Sequence, residues 1–313
     1  MQNAIELHNV SKRFGRNLAV DALDLTVPEG SIYGFIGPNG SGKTTTLRMI
    51  LRIFQPDSGQ VVVLGNSHGK VADDRLGYLP EERGLYKRMR VRDILTYYAR
   101  LKGLRNCRKE IDQWLVRLDA VEWSERRIDA LSKGMAQKIQ FIAAVVARPK
   151  LVILDEPFSG LDPVNMESLR DAVLQLRKDG TTVVFSTHDM DTAEVMCDTI
   201  FMIFRGKKVL DGTLQSIQKQ YAADMVRVGF SDPEQRVEKI QGVVDVQQAG
   251  GFFDFRVSDM SRMQHVLSHL VETGSLTHFE VVKPSLHDIF VRIASPGRFQ
   301  NSGKPENGVS SVI

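Results

Sequence analysis

A glycine-rich segment near the start of the chain carries residue types that bind phosphate. It comprises Gly37, Pro38, Asn39, Gly40, Ser41, Gly42, Lys43, Thr44 and Thr45. Its glycines allow the backbone to curl so that consecutive N–H groups point inward, and a helix that follows adds partial positive charge at its N-terminus. Lys43 is then placed to reach the β- and γ-phosphates of a nucleotide, and the Thr44 hydroxyl is placed to ligate Mg²⁺.

The flanking residues predict the two elements that such a loop requires. Residues 32–36 form an apolar run typical of a buried strand. Leu47, Ile50, Leu51 and Phe54 recur at the spacing of one helix face. Because a strand, a glycine-rich loop and a helix occur in this order, a phosphate-binding loop is favoured over a chance glycine-rich turn. We therefore predict a nucleotide site at residues 37–45.

A pair of carboxylates, Asp155 and Glu156, follows a second apolar strand at residues 151–154. Ligands of open α/β sheets bind at the carboxyl ends of the strands, which is where these two residues fall. In phosphate-loop enzymes the first carboxylate holds Mg²⁺, and the second is placed to activate an attacking water as general base. An acidic turn after a strand is a common structural alternative, but the phosphate loop in the same chain favours the functional interpretation.

Bulk properties limit the remaining possibilities. A chain of 313 residues predicts two domains, and 42% hydrophobic with 25% charged residues is ordinary for a soluble globular protein. A formal charge of +3 is too small to indicate nucleic-acid binding by itself. Cys107 and Cys197 are isolated, which argues against a disulfide framework and fits a reducing, cytosolic setting. We expect no signal segment and no membrane span, since the longest apolar stretch is residues 141–147.

Three further motifs carry a resemblance to a known family. Residues 131–135 (LSKGM), 159–163 (SGLDP) and 186–188 (STH) resemble the signature, the D-loop and the switch histidine of ATP-binding-cassette (ABC) ATPases. The order and spacing agree across residues 4–215, about two thirds of the chain. The resemblance implies an α/β P-loop NTPase cassette with an antiparallel β subdomain and a helical subdomain. It also implies ATP and Mg²⁺ as cofactors.

The resemblance assigns roles to individual residues. It implies that Phe14 stacks on adenine, although a lone Phe in a turn more often packs against a core. It implies that His188 contacts the γ-phosphate and helps Glu156 to orient water. Ser132 and Gly134 are implied to receive the γ-phosphate held by an opposite cassette. From the residues alone, Ser132 is expected to cap a helix, which an ordinary structural helix would also require.

A second copy of the chain follows as a predicted partner. The chain has one phosphate loop and one signature, so a complete site requires two cassettes arranged head to tail. We therefore predict a nucleotide-bound homodimer.

The chain departs from the commonest family pattern at three positions. Lys133 and Met135 stand where glycine and glutamine are usual in the signature, while Ser132 and Gly134 remain. Glu81 stands where a glutamine normally senses Mg²⁺ and water; a glutamate oxygen is able to ligate the metal, but it adds a charge and loses an amide donor. These departures resemble those of a cassette branch that serves ABC-2-type exporters.

The segment at about 83–133 is predicted to be the helical subdomain, within an ABC ATPase domain at residues 1–220. Ile94, Leu95, Tyr98 and Leu101 have the spacing of one apolar helix face. Residues 83–133 hold 14 Lys or Arg and 7 Asp or Glu. This excess suits an anionic membrane face or a membrane-spanning permease subunit, and a solvated helical surface explains it almost as well.

The remaining chain predicts a small C-terminal α+β accessory domain at residues 221–295. Strands near 225–230, 243–246, 253–257 and 278–282, with helices after Ser231 and around 266–271, give a βαββαβ order that is ferredoxin-like. Ser285 is expected to cap a closing helix. The tail at residues 296–313 is rich in Ser, Gly, Pro and Asn, and we expect it to be disordered.

The expected function is that of an ATP-hydrolysing subunit that powers a separate permease from the cytoplasmic face of the inner (plasma) membrane, in export rather than import. The permease selects the substrate, so nothing in the sequence names it, and no direct nucleic-acid contact is expected. One alternative is a soluble ABC ATPase acting on ribosomes or nucleic acid, although such proteins usually carry two cassettes or a long coiled-coil insertion. A non-hydrolysing cassette is disfavoured by Lys43, Asp155, Glu156 and His188.

Overall fold

The chain forms two compact units, Met1–Leu214 and Gln215–Ile313. The structure is a computed structural model that describes residues 2–67, 74–82, 84–221, 225–232, 241, 243–249, 251–257 and 263–294. Each unit has an apolar core of its own. The domain limits drawn from the sequence stay a prediction.

The first unit alternates strands and helices. Its strands are β1 (Asn3–Phe14), β2 (Asn17–Pro28), β3 (Ile32–Ile36), β4 (Ser58–Val63), β5 (Leu76–Leu79), β6 (Leu151–Asp155), β7 (Thr182–Thr187), β8 (Thr199–Phe204) and β9 (Lys207–Gly212). Its helices are α1 (Lys43–Ile50), α2 (Val91–Leu101), α3 (Arg108–Arg117), α4 (Lys133–Val145), α5 (Pro163–Lys178) and α6 (Met190–Met196), and α7 (Leu214–Gln220) begins at its boundary. Short 3₁₀ turns occupy Val121–Trp123 and Ile128–Ala130.

Two sheets position the site. An antiparallel sheet has the order β2-β1-β4, and a six-stranded sheet has the order β5-β6-β7-β3-β8-β9. The first five strands in this order, from β5 to β8, run parallel to one another. The last strand, β9, is antiparallel to β8. The register places Asp155 beside Ser186 and Ile36 beside Thr187, so β6, β7 and β3 end at one edge of the sheet. The loops that leave these strands therefore start close together.

The larger sheet is buried on both faces, as parallel sheets require. Leu151 and Ile153 point into the core that β1, β2, β4 and α1 share. Val152 and Leu154, one position along the same strand, point into the core formed with α2, α3, α4 and α5. Side chains alternate across a strand, so one continuous apolar run supplies both cores.

Helix α2 is correct as an element, but one residue of its predicted apolar face is wrong. Ile94 and Leu95 are fully buried, whereas Leu101 is 58% exposed. Leu101 is the last residue of the helix, and the chain turns away at Gly103 with a positive φ of 80°. The apolar spacing therefore continues past the point where α2 still faces the core.

The second unit contains a four-stranded antiparallel sheet. Its elements are β10 (Met225–Phe230), β11 (Val243–Ala249), β12 (Phe252–Val257), α8 (Met263–Thr273), β13 (Leu276–Val281) and α9 (Leu286–Ala294). The strand order β11-β12-β10-β13 is that of a ferredoxin-like sheet. Val226, Phe255 and Leu270 are fully buried in its core, which shows that α8 covers one face of the sheet.

Two predictions for the C-terminal part fall outside the described residues: the helix after Ser231 and the tail at 296–313. The cap of α9 is confirmed, because the Ser285 hydroxyl accepts the backbone N–H of Asp288 at 3.1 Å.

Within the described ranges, no helix combines the length and apolar character that crossing a bilayer demands.

Candidate active site

The glycine-rich loop lies between β3 and α1, and steric limits fix its glycines. Gly37 has φ 153° and Gly42 has φ 113°, values that side-chain-bearing residues rarely adopt. A Cβ at Gly37 would lie 2.2 Å from the Ile203 carbonyl oxygen, and one at Gly42 would lie 2.6 Å from the Ala19 carbonyl oxygen. The backbone can approach its neighbours this closely only without side chains at these positions.

The loop residues fit a phosphate ligand. Ser41 is buried, and its hydroxyl has no hydrogen-bond partner among the described residues. A buried hydroxyl without a partner is uncommon, and it is the kind of group that a bound anion satisfies. Thr44 and Thr45 lie half-buried in the first turn of α1, where unpaired backbone N–H groups also favour an anion. Asn39 and Gly40 are exposed at the tip of the loop, and Pro38 is half-buried.

Lys43 lies beneath the loop with its side chain only 6% exposed. Its ammonium donates to the carbonyl oxygens of Gly37 at 2.7 Å and Pro38 at 3.3 Å, and it lies 3.8 Å from Glu156 Oε1. Burial lowers the pKa of Lys43 below its ordinary value, and the carboxylates of Glu156, Asp155 and Glu81 oppose that shift in this order. The net direction is downward, so desolvation outweighs the attraction of the carboxylates.

Asp155 and Glu156 lie at the carboxyl end of β6, almost entirely buried. Asp155 Oδ1 accepts the Ser186 hydroxyl at 2.5 Å, and the Glu156 backbone N–H donates to the same hydroxyl oxygen at 3.0 Å. Glu156 has φ 50°, which is unusual for a residue with a side chain. A single hydroxyl on the neighbouring strand therefore holds the Asp155 carboxylate and the Glu156 backbone.

His188, which follows β7, joins this cluster. Its Nδ1 lies 3.0 Å from both carboxylate oxygens of Glu156, while 56% of its side chain is exposed. The structure thus brings Lys43, Asp155, Glu156 and His188 together at one edge of the sheet. Glu156 is the centre of the group because it lies within 4 Å of both the lysine and the histidine.

Glu81 lies at the margin of this cluster. It is exposed and follows β5 through Pro80. Its charge reaches Lys43, whose pKa it helps to raise. The Gln140 amide fixes the segment by donating to the carbonyl oxygens of Pro80 at 3.3 Å and Glu82 at 3.2 Å.

Phe14 lies at the end of β1 and is 44% exposed, so the ring is not part of a core. Its only aromatic neighbour in the described ranges is Phe54, in an edge-to-face contact with centroids 5.4 Å apart. The Lys12 ammonium lies 5.7 Å from the centroid of the Phe14 ring. This exposure leaves ring surface on which a flat base is able to stack.

Ser132 and Gly134 lie at the start of α4, away from the contacts of this cluster. The Ser132 hydroxyl accepts the Met135 backbone N–H at 3.3 Å, which confirms the predicted cap. A Cβ at Gly134 would lie 3.2 Å from the Asn165 amide nitrogen and 3.6 Å from Leu161, so its surroundings belong to α5 and the turn before it. No hydrogen bond or ion pair in the described part of the chain joins Ser132 to Lys43 or Asp155.

Two residues that contact the site carry no role in the sequence analysis. Ser186 is part of the segment 186–188 (STH), which is recognised for its histidine. Gln137 lies in none of the motifs. Gln137 is 2% exposed and its amide donates to the Pro157 carbonyl at 3.0 Å, next to Glu156. A polar residue inside an otherwise apolar strand or helix face is a visible signal, but its partner is known only once the strands are paired.

Comparisons with known proteins show the family of the chain. A family model described as ABC transporter matches residues 20–159. An ABC transporter ATP-binding protein of Bacillus subtilis, YhaQ, is 39% identical over 289 residues, covering 92% of this chain and 97% of the relative. The chain belongs to the ABC transporter ATP-binding proteins.

Further similarities extend the match over the whole cassette and into the second unit. A solved structure of an ATP-binding subunit of an ABC transporter is 27% identical, with a TM-score of 0.65, over 70% of this chain and 93% of that one. A model described as the C-terminal domain of ATP-binding proteins like DrrA1-3 matches residues 212–294. The Nod factor export ATP-binding protein I of Sinorhizobium fredii is 32% identical over 93% of this chain and 85% of the relative. The ABC subunit is therefore an ATPase of a transporter, with an additional C-terminal domain.

Proposed function

We propose that this ABC subunit hydrolyses ATP in a nucleotide-sandwich homodimer and thereby drives a separate membrane-spanning permease of an exporter. It works at the cytoplasmic face of the inner membrane as a peripheral subunit. The observation that carries the proposal is the chain of contacts from Lys43 through Glu156 to His188, with Asp155 beside it.

Each residue of the cluster has a role that its position supports. Residues 37–45 hold the phosphates, with Lys43 on the β- and γ-phosphates and Phe14 on the base. Glu156 is the general base, because it is buried and lies against an imidazole that can orient both it and a water. His188 is exposed enough to face a ligand while it contacts Glu156. Lys43 offsets the negative charge of the triphosphate.

Thr44, Asp155 and Glu81 would hold Mg²⁺. A hydroxyl from the first turn of α1 and a carboxylate at the end of β6 are the oxygen ligands that this ion prefers. When bound, the ion would supply positive charge that offsets the negative charge developing during phosphoryl transfer. Glu81 would contribute a third oxygen from its exposed position after β5.

The homodimer follows from the position of Ser132 and Gly134. These residues open a helix whose N-terminus suits an anion, yet their contacts lie with Met135, Leu161 and Asn165 instead of the phosphate loop. A second copy, turned head to tail, would bring this helix start to the γ-phosphate. Each of the two sites would then take a phosphate loop from one subunit and a signature from the other.

The exporter assignment rests on similarity. One relative is named for Nod factor export, and the second unit matches the C-terminal domain of DrrA1-3-like proteins. The departures at Lys133, Met135 and Glu81 point the same way.

The decisive variant is Glu156→Gln. The amide keeps the shape of the side chain, removes the base, and removes a negative charge beside the γ-phosphate. We expect ATP turnover to fall at least about a hundredfold, with dimers that persist in ATP and Mg²⁺. Turnover is measured by phosphate release, and dimers by light scattering after size exclusion. Glu29→Gln, at an exposed glutamate between β2 and β3, is the matched control. Unchanged turnover in Glu156→Gln, or full activity in a strict monomer, would remove the proposal.

A second experiment tests the partner. The tagged full-length chain is purified from detergent-solubilised membranes of its own cell, and the proteins that accompany it are identified. A stoichiometric protein with several membrane spans is the expected result. Recovery with ribosomes would contradict the transporter assignment and favour the soluble alternative.

A further inference from the structure

Ser186 occupies a position that the catalytic scheme does not use. It is fully buried on β7, directly beside Asp155 in the parallel register. The two residues before it, Val184 and Phe185, are apolar and fully buried, so the Ser186 hydroxyl is a polar group directly after an apolar stretch of the strand. A buried polar group of this kind normally has a hydrogen-bond partner.

The hydroxyl makes two hydrogen bonds whose direction is fixed. The Glu156 backbone N–H can only donate, so the Ser186 oxygen accepts there, at 3.0 Å. The single O–H proton is then free to go to Asp155 Oδ1 at 2.5 Å, and an ionised carboxylate can only accept. A hydroxyl bonded to a buried carboxylate in this way is among the stronger side-chain contacts.

Glu156 needs this support because its backbone is doubly disfavoured. Its φ of 50° is left-handed, and it precedes Pro157, a position that further restricts the backbone. Three contacts hold the turn: the Ser186 bond to the Glu156 N–H, the Gln137 bond to the Pro157 carbonyl, and the Ser159 N–H bond to the Glu156 carbonyl at 3.2 Å. Strained residues of this kind persist only where their surroundings fix them.

We infer that Ser186 is a positioning residue for ATP hydrolysis: one hydroxyl sets both the metal-binding carboxylate of Asp155 and the backbone angle from which Glu156 projects. It acts through the Asp155 carboxylate and the Glu156 backbone, the two groups to which its hydroxyl is bonded. The inference rests on the roles proposed above for Asp155 and Glu156.

Ser186→Thr and Ser186→Val form the test pair, because threonine and valine have the same shape and differ in the hydroxyl. We expect Ser186→Val to lower kcat about tenfold or more and to raise the Mg²⁺ concentration needed for half-maximal rate, with ATP affinity in the absence of Mg²⁺ unchanged. Ser186→Thr should keep kcat within about threefold of the parent. Ser186→Ala, which adds no methyl group, should show the same loss as Ser186→Val, and it carries the comparison if the valine variant does not fold.

Thr182→Val is the control on the same strand. Thr182 is 1% exposed and its hydroxyl accepts the Gly30 N–H at 2.9 Å, far along β7 from the carboxylates. Its loss should change the melting temperature without changing the Mg²⁺ requirement. The inference is overturned if Ser186→Val and Thr182→Val have the same kcat and Mg²⁺ dependence, or if Ser186→Thr is as impaired as Ser186→Val.

The two proposals fail in different ways. If Glu156→Gln abolishes turnover while Ser186→Val behaves as Thr182→Val does, the role of Ser186 is wrong and the proposed function stands. If Glu156→Gln keeps full turnover, the proposed function fails whatever the Ser186 variants do.

Discussion

At the scale of single residues, burial decides how the site behaves electrostatically. Lys43 and Glu156 are both nearly inaccessible, and their side chains lie 3.8 Å apart. Such a pair loses hydration that its mutual attraction only partly returns. The lowered pKa of Lys43 is the sign of that balance, and the carboxylates reduce the shift without reversing it. The negative charge of a bound nucleotide would raise the pKa of Lys43, in the same direction as these carboxylates.

The pH dependence of nucleotide binding follows from Lys43. As pH rises through its lowered pKa, below the ordinary 10.5 of lysine, the ammonium loses its proton and its attraction for the triphosphate. We expect ATP affinity to weaken over that range, measured by calorimetric titration at a series of pH values. Lys178→Met, at an exposed lysine at the end of α5, should keep this dependence. Lys43→Met should bind weakly at every pH, and a pH profile identical to that of the parent would contradict the prediction.

The stability of the nucleotide-free protein should respond in the opposite direction. Between the lowered pKa of the folded state and the ordinary value, the unfolded chain keeps a proton that the folded chain releases. The free energy of unfolding contributed by Lys43 therefore rises with pH across this window.

At the scale of elements, β3, the strand before the phosphate loop, packs closely against the residues that precede β8. Gly34 lies in the middle of this strand, and a Cβ there would lie 2.4 Å from the Cys197 sulfur. The thiol is buried beside Asp198, and burial raises its pKa well above the ordinary value, so it stays neutral and packs as a small apolar group. The absence of a side chain at Gly34 thus leaves room for the Cys197 sulfur.

Gly34→Ala should therefore destabilise the first unit by about 1–3 kcal/mol through overpacking. The measurement is urea unfolding followed by fluorescence. Adding Cys197→Ala removes the sulfur, and the next contact of the new Cβ no longer clashes, so the double variant should recover much of the loss. Equal stability of Gly34→Ala with and without Cys197→Ala would contradict this explanation.

The sequence predicts elements well where the signal is local, and fails where it depends on pairing. The strand before the phosphate loop, the caps at Ser132 and Ser285, and the strand that ends at Asp155 all follow from short patterns. The prediction that Leu101 belongs to the apolar face of α2 is wrong because the pattern cannot show where α2 leaves the core. The position of Ser186 beside Asp155 was not predictable either, since the order β6-β7-β3 comes from long-range packing.

At the scale of the whole molecule, the apolar cores of the two units are made of different residues. The first unit uses two core clusters on the two faces of the large sheet, and the second uses the cluster around Val228 and Phe255. The chain from Gln215 onward belongs to the second unit, within which the Tyr221 carbonyl accepts the Arg292 guanidinium at 3.2 Å. A cut before α7 leaves this contact out of the first unit.

A fragment of residues 1–213 should therefore fold and bind ATP. Its own cores are intact, so we expect a cooperative melt and a nucleotide-induced rise in melting temperature, measured by scanning calorimetry. The same fragment carrying Lys43→Met serves as the control without nucleotide binding. An aggregated fragment, or a melt that ATP leaves unchanged, would show that the cassette depends on the C-terminal residues.

The six residues of β7 have one more consequence, which concerns insertions and deletions. The strand carries Ser186 beside Asp155, and His188 follows one residue past its end. Because side chains alternate along a strand, a single-residue deletion anywhere between Thr182 and Thr187 would exchange the residues on the two faces of the sheet and displace both groups. The length of this strand therefore fixes the positions of Ser186 and His188 in the cluster. Lineages of this subunit should keep the spacing from Thr182 to His188 constant.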